Sequence, residues 1–379
     1  MCFIVDKVNN IEIVSREHFM NQRQLQQQAF DLSEQNLIVG NVNQCPMPPE
    51  TLALTTAESE YVVETFESGL TAQVFHIRVG GRDYTLKKKR PQAKVQNPDG
   101  QYSFLNEVQR RLDFQTQKDN PNLAEDFKHI VETVYADYRL GIIVSDWIEG
   151  SSIQALTEDL LRQLFSTLFA CELSGLFEWD LCSGNLLVDE QGQLKLFDFG
   201  YMYCFDPLTE FNSNGMHDPL FDACERFETR FLSGWLLEQD YSQKDAIQLF
   251  RNVKQRALEI LEYKREWLVQ NDATPEIVER VQTSMEKIQT ALKSDAQLEH
   301  LFTIEMFRSH VLDIEDDLDG KSCTLTTIKR VQFVLDMLQQ HYDLLVEGGA
   351  LFYQNAAKSK AELIQTYQEK HELVLQYQL

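Results

Sequence analysis

Between about residues 61 and 220, short apolar runs alternate with Gly, Asp and Pro; beyond 220 the apolar positions recur at helical spacing over much longer stretches. In AQVFHIRVGGRDYTLKKKR (72–90), two strand-like runs flank Gly80-Gly81, which predicts a two-residue hairpin. Side chains alternate faces along a strand, so Thr85 and Lys87 fall on one face and Tyr84, Leu86 and Lys88 on the other. SFLNEVQRRLDFQ (103–115) carries Phe104, Val108 and Leu112 at i, i+4 and i+8, predicting a helix with Glu107 near its start. LGIIVSDWIEGSS (140–152) reads as a central strand running into a connector, and Leu186–Val188 and Leu194–Phe197 as two strands around a turn at 189–193. AIQLFRNVKQRALEILEYKREWL (246–268) is an amphipathic helix, and Thr274-Pro275-Glu276 is a helix start with a capping hydroxyl, a first-turn proline and an acid.

These elements predict an α+β chain with two lobes: β-rich at 61–148, mixed with helices at 149–240, then a helical extension over 241–379. Residues 1–60, with a Gln-rich run at 23–28 and prolines at 46, 48 and 49, read as an accessory segment. No internal repeat is present.

A net charge of −24 argues against a nucleic-acid partner or an acidic membrane surface, both of which require a basic face. The run Lys87-Lys88-Lys89-Arg90 is the one local exception, and as a cluster it reads as a solvated strand end. Seven cysteines without a Cys-x-x-Cys pair predict reduced thiols in a cytosol-like compartment. The opening MCFIVDKVNN has too short an apolar run for a signal-peptide core, and no stretch approaches the roughly 20 apolar residues of a membrane span. A signal for delivery into a host need not be hydrophobic, so that route stays open.

The candidate chemistry lies in FEWDLCSGNLLVDEQGQLKLFDFG (177–200). If the two strands pair antiparallel, Asn185, just before the first, meets Asp198, just after the second. An amide oxygen and a carboxylate at one end suit Mg²⁺, a hard ion that shares oxygen ligands with phosphates. Asp180 lies five residues before Asn185 across a short loop, as a third oxygen group able to accept a proton. Any one of these acids is more often a polar turn cap; their convergence is what points to chemistry. The turn Glu67-Ser68-Gly69-Leu70-Thr71-Ala72 leads into the first strand of the hairpin, where backbone N–H groups can face phosphates.

The region 61–200 resembles the protein-kinase-like fold, with its motifs in the family's order: Leu86-Lys87 for the lysine strand, Glu107 for the helix glutamate, Asp180 to Asn185 for D-x-x-x-x-N, and Asp198-Phe199-Gly200 for D-F-G. The resemblance implies ATP and Mg²⁺ as cofactors and a hydroxyl on a protein or small molecule as acceptor. It implies that Lys87 contacts the α- and β-phosphates and pairs with Glu107, and that Asn185 and Asp198 hold Mg²⁺. Asp180 would then serve as base, Ser68, Gly69 and Leu70 would cover the phosphates, and Asp146 to Ile148 would offer backbone groups to adenine, with Ser145 behind them.

The chain departs from the ordinary pattern at several places. Glu67 and Ala72 replace the outer glycines of the phosphate loop, Glu178-Trp179-Asp180 replaces H-R-D, Cys182 stands where Ser/Thr kinases place a lysine, and no A-P-E follows. Such departures resemble the atypical kinases, which include small-molecule phosphotransferases and bacterial effector kinases. Two alternatives stay open: a pseudokinase acting as an interaction module, favoured by the lost glycines, and an AMP transferase on the same fold.

Overall fold

In a computed structural model the described residues are 20–379, apart from 68, 218, 240, 353 and 354. The chain is α+β: an antiparallel sheet with a long helix, followed by a mostly helical part. The described residues open with α1 (Gln22–Leu32), β1 (Ile38–Gly40), α2 (Pro49–Ala53), β2 (Val62–Phe66), β3 (Ala72–Val79) and β4 (Arg82–Lys89). Then come α3 (Pro98–Asp119), β5 (Thr133–Asp137), β6 (Ile142–Asp146) and β7 (Gly150–Ser152). After α4 (Glu158–Leu173) follow β8 (Leu176–Glu178), β9 (Leu186–Asp189), β10 (Leu194–Leu196) and β11 (Met202–Cys204). The remainder is helical: α5 (Ala223–Phe227), a π-helical turn (Glu228–Leu232), α6 (Ser233–Glu238), α7 (Gln243–Gln270), α8 (Pro275–Ala291), α9 (Asp295–Asp319), α10 (Leu325–Gln340), α11 (Tyr342–Glu347) and α12 (Lys360–Gln376).

Among the described residues, six strands form one sheet in the order β1-β5-β6-β4-β3-β2, every neighbour antiparallel. Gly80 and Gly81 close the β3–β4 hairpin with φ of +61° and +82°, the left-handed pair that a two-residue turn requires. Leu52, Phe75, Tyr84, Leu86 and Val144 are buried together as one cluster, and Val39, Phe104, Leu105, Val108 and Ile143 as another. Ile143 and Val144 are neighbours in β6, so the two clusters lie on opposite faces of the sheet. Covering on both faces explains the unbroken apolar run at 142–144. Lys87 takes the α3 face, opposite Ile143 in the β4–β6 ladder.

Several local expectations change. The helix predicted at 103–115 begins at Pro98, capped by Asn97, whose side chain accepts the Gly100 N–H at 2.8 Å; Glu107 is therefore mid-helix, and Leu112 is exposed. Gly150–Ser152 is not a plain connector: it pairs with β9, and a Cβ at Gly150 would stand 2.6 Å from the Val188 carbonyl oxygen. Thr274 precedes α8 as expected, but its side chain makes no capping bond. Lys87-Lys88-Lys89-Arg90 is not a solvated strand end. Lys88 donates to the Thr55 carbonyl, Lys89 to the Tyr138 hydroxyl at 2.9 Å, and Arg90 to the Gly69 carbonyl at 2.9 Å.

The helical part has its own core, where Phe165, Phe177, Phe227, Phe231, Phe250 and Leu268 are fully buried. Each such side chain contributes about 1.5–3 kcal/mol relative to exposure. The aromatic-rich segment after Gly200 supplies much of this core, as Phe205, Phe211 and Phe221. No described helix is long and apolar enough to cross a membrane, and the six described cysteines are free thiols.

Candidate functional site

Lys87 ends the buried part of β4, and its Nζ lies 2.8 Å from Glu107 Oε1 and 2.9 Å from Asp198 Oδ2. The lysine and glutamate side chains are only 6% and 3% exposed, so each charge depends on the other for compensation. Burial disfavours the Lys87 ammonium, but Asp198 and Glu107 outweigh it and hold its pKa above the ordinary value. Burial works equally against the Asp198 carboxylate, and Lys87 reverses it, leaving Asp198 below the usual range.

Glu107 is shared with Arg111, one helical turn on, whose Nη2 donates to Oε1 at 2.7 Å and to the Phe197 carbonyl at 2.7 Å. Sequence reasoning missed Arg111, although its i+4 spacing from Glu107 was a usable signal. It also missed Asn106. The Asn106 amide, 1% exposed, donates to the carbonyls of Phe199, Gly200 and Met202 at 3.2, 3.1 and 2.7 Å. The segment after Asp198 is thereby tied to α3, with the Phe199 ring 4.8 Å from that of Phe114.

The β9–β10 hairpin pairs as expected, Leu186 opposite Leu196 and Val188 opposite Leu194. Asn185 and Asp198 thus flank the same end of the hairpin. Asn185 Nδ2 donates to the Asp180 carbonyl at 2.8 Å and to Asp180 Oδ2 at 3.1 Å. With its nitrogen committed there, the Asn185 oxygen is the acceptor it has left. Among the described residues no group of three or more His, Cys, Asp or Glu could hold a metal ion. An asparagine and one carboxylate would suit an ion that takes its remaining oxygens from a ligand and water.

Asp180 is held at both oxygens, because Oδ1 accepts from Arg230 Nε at 2.9 Å. Its backbone N–H donates to Glu178 Oε1 at 2.6 Å, while Glu178 Oε2 is buried with no hydrogen-bond partner among the described residues. Burial first, then the charges of Asp180 and Asp198, push the Glu178 pKa well above the carboxylate range. Burial also pushes the Cys182 thiol up, with the Asp180 charge adding to it, so Cys182 is a poor nucleophile. Beside Asp180 opens a cavity of about 890 Å³, lined by Trp179, Tyr201, Tyr203, Arg226, Arg230 and Asp317 among others.

Ser68 lies outside the described residues. Gly69 is where a side chain cannot fit, since a Cβ there would stand 2.3 Å from the Ala72 carbonyl oxygen. Leu70 accepts the Lys94 N–H at 2.8 Å and Gly69 accepts from Arg90, so residues 90–94 brace this turn. At the other edge, the Asp146 N–H donates to the Glu132 carbonyl and its carboxylate accepts from Arg82 at 2.7 Å; both groups are therefore already engaged. Ser145 is buried opposite Thr85, and Ile148 packs on the helical core. Trp147, between them, stacks on His76 with centroids 3.8 Å apart.

No protein-family model matches the chain. A 73-residue stretch, 19% of the chain, is 37% identical to a probable serine/threonine-protein kinase of Arabidopsis thaliana and covers 13% of that protein's length. That similarity is partial and weak, and it agrees with an antiparallel-sheet lobe followed by a helical lobe: the chain is similar in part to a protein kinase, with an architecture consistent with the kinase-like fold.

Proposed function

We propose that the chain is a phosphotransferase that uses ATP and Mg²⁺ to move a γ-phosphate to a hydroxyl acceptor. The observation that carries this reading is the Lys87 ammonium held between Glu107 and Asp198 at 2.8 and 2.9 Å, beside a hairpin that presents Asn185 at the same end. Lys87 offers a fixed positive charge to the nucleotide phosphates, and Glu107 keeps it in place. Asn185 and Asp198 fit Mg²⁺ by their chemistry, an amide oxygen and an ionised carboxylate, and would hold it; when bound, the ion neutralises charge on the phosphates. The turn at 67–72 covers the phosphates, and the backbone from Asp146 to Ile148 borders the base.

Asp180 orients the acceptor hydroxyl and takes its proton, and the cavity of about 890 Å³ beside it receives the acceptor. Phosphoryl transfer has a loose transition state, so correct placement and charge do most of the work, and few side chains suffice. One observation favours a second reading, an interaction module without transfer: Glu67 and Ala72 replace the outer glycines of the turn that would cover the phosphates.

Two substitutions separate the roles. Asp198→Ala is expected to abolish Mg²⁺-dependent stabilisation by ATP on heating. Asp180→Asn is expected to keep that stabilisation while transfer falls by roughly 10²–10⁴-fold. Transfer by Asp180→Asn at the wild-type rate would remove Asp180 as base.

A further inference from the structure

The segment that stands in place of A-P-E contains ACERFETRF, in which Arg226 and Arg230 are four residues apart. In the structure these arginines hold two consecutive residues of the candidate catalytic loop. Arg226 Nε donates to the Trp179 carbonyl at 2.6 Å, and Arg230 Nε donates to Asp180 Oδ1 at 2.9 Å. Arg230 sits in the π-helical turn Glu228–Leu232, a rare widening of a helix that re-aims side chains and recurs at functional sites.

Each arginine is backed by α9. Arg230 Nη1 lies 3.5 Å from Asp313 Oδ1 and 3.6 Å from Asp317 Oδ1, while Arg226 Nη2 lies 3.2 Å from Asp316. Asp313 and Asp317 are one helical turn apart, so they meet the guanidinium from the same face. They are themselves anchored. Asp313, fully buried, pairs with Arg330 of α10 at 2.6 Å, and Asp317 accepts from the Thr327 hydroxyl at 2.6 Å. Burial disfavours a charge on Arg230, but Asp180, Asp313 and Asp317 more than offset that and raise its pKa.

We propose that Arg230 is a positioning residue for Asp180, set from behind by Asp313 and Asp317, so that the helical extension completes the transfer site; this rests on the phosphotransferase reading. An arginine side chain has many rotamers, and fixing it in advance with two carboxylates removes the entropic cost of ordering it from the catalytic step. With Oδ1 fixed by Arg230 and Oδ2 by Asn185, the Asp180 carboxylate has a single orientation, and each oxygen keeps a lone pair for an incoming hydroxyl.

The test compares wild type with Arg230→Gln, Arg230→Lys and Asp317→Asn, reading turnover of Mg-ATP by self-modification and phosphate release, the KM for ATP, and the thermal midpoint. Arg230→Gln is expected to lower kcat by roughly 10²-fold, the effect of a misplaced catalytic group, with KM for ATP within about threefold of wild type. Arg230→Lys, which keeps the charge, is expected to recover part of that loss, and Asp317→Asn to lower kcat several-fold. A kcat for Arg230→Gln near the wild-type value overturns the proposal, as does a lysine variant no better than the glutamine one. If Arg230→Gln fails to fold, Asp317→Asn decides: unchanged kcat contradicts the proposal. A wild-type chain with no measurable turnover overturns the phosphotransferase reading and this role together, whereas an active wild type with unaffected variants removes only the role of Arg230.

Discussion

Two ionic clusters meet near Asp198 and Asp180, and they are built differently. The Lys87–Glu107–Asp198 cluster joins one strand, one helix and one hairpin end, and its lysine and glutamate are almost fully enclosed. The Asp180–Arg230–Asp313–Asp317 cluster joins a loop, a π-helical turn and α9, at the wall of an open cavity. A buried cluster must balance its charges internally, so losing one member destabilises the fold. In the second cluster Asp180 and Arg230 are partly exposed to the cavity while Asp313 is buried, so losing one of the exposed members changes geometry more than stability.

The largest expected effect falls on the enclosed cluster. Glu107→Ala leaves Lys87 and Arg111 facing each other without their shared carboxylate, and a loss of about 3–5 kcal/mol is expected from chemical denaturation. A loss below about 1 kcal/mol would show that water compensates this cluster as well, and the contrast would disappear.

A smaller effect, dependent on pH, belongs to the second cluster. Burial, with the Asp313 charge beside it and Arg230 opposing, raises the Asp317 pKa from 3.8 to about 6; Thr327 and Arg330 also face it. Because the folded chain holds this proton more tightly than the unfolded one, the group's favourable contribution is fully present below about pH 4 and is lost as pH rises to about 6. Asp317→Asn is therefore expected to gain stability relative to wild type between those values, by about 3 kcal/mol at most. Denaturation at pH 4 and pH 7 measures it, and an unchanged difference would mean that Arg230 and Arg330 fully offset the burial of Asp317.

Gly69→Ala tests the turn. The added methyl would meet the Ala72 carbonyl, so the turn must shift, and the KM for ATP is expected to rise by roughly tenfold with stability nearly constant. The smallest effect is expected at Glu178→Gln. Burial pushes this carboxyl towards its neutral form, which resembles an amide, and glutamine retains the acceptor for the Asp180 N–H, so a change below about 1 kcal/mol at neutral pH is expected. A large loss would mean that Glu178 is ionised.

Much of the fold was legible because it follows local rules. Gly80-Gly81 sets a turn by its backbone freedom, and the short runs around 189–193 set the hairpin that brings Asn185 towards Asp198. Lys87 and Glu107 could be placed on their elements by periodicity, although the pairing itself needed the resemblance. What stayed hidden depends on contacts between distant segments. Arg230 reaches Asp180 across 50 residues, and nothing in the spacing of ACERFETRF announces a π-helical turn. Ile38–Gly40 joins the sheet beside β5 as a three-residue strand, too short for any alternation to register. Lys88, Lys89 and Arg90 looked solvent-facing because their partners, Thr55, Tyr138 and Gly69, lie in other segments. In each case a tertiary partner, and not the local pattern, decided the outcome.

The central claim is that the Lys87–Asp198 end of the hairpin supports transfer of phosphate. Intact-mass analysis of the purified chain after incubation with Mg-ATP, beside Asp198→Ala, tests it most directly, since self-modification needs no identified acceptor. A phosphate-sized addition on the wild type, absent from Asp198→Ala, is the result expected. An AMP-sized addition would contradict the transfer chemistry, and an unmodified wild type that Mg-ATP also fails to stabilise on heating would contradict the claim altogether.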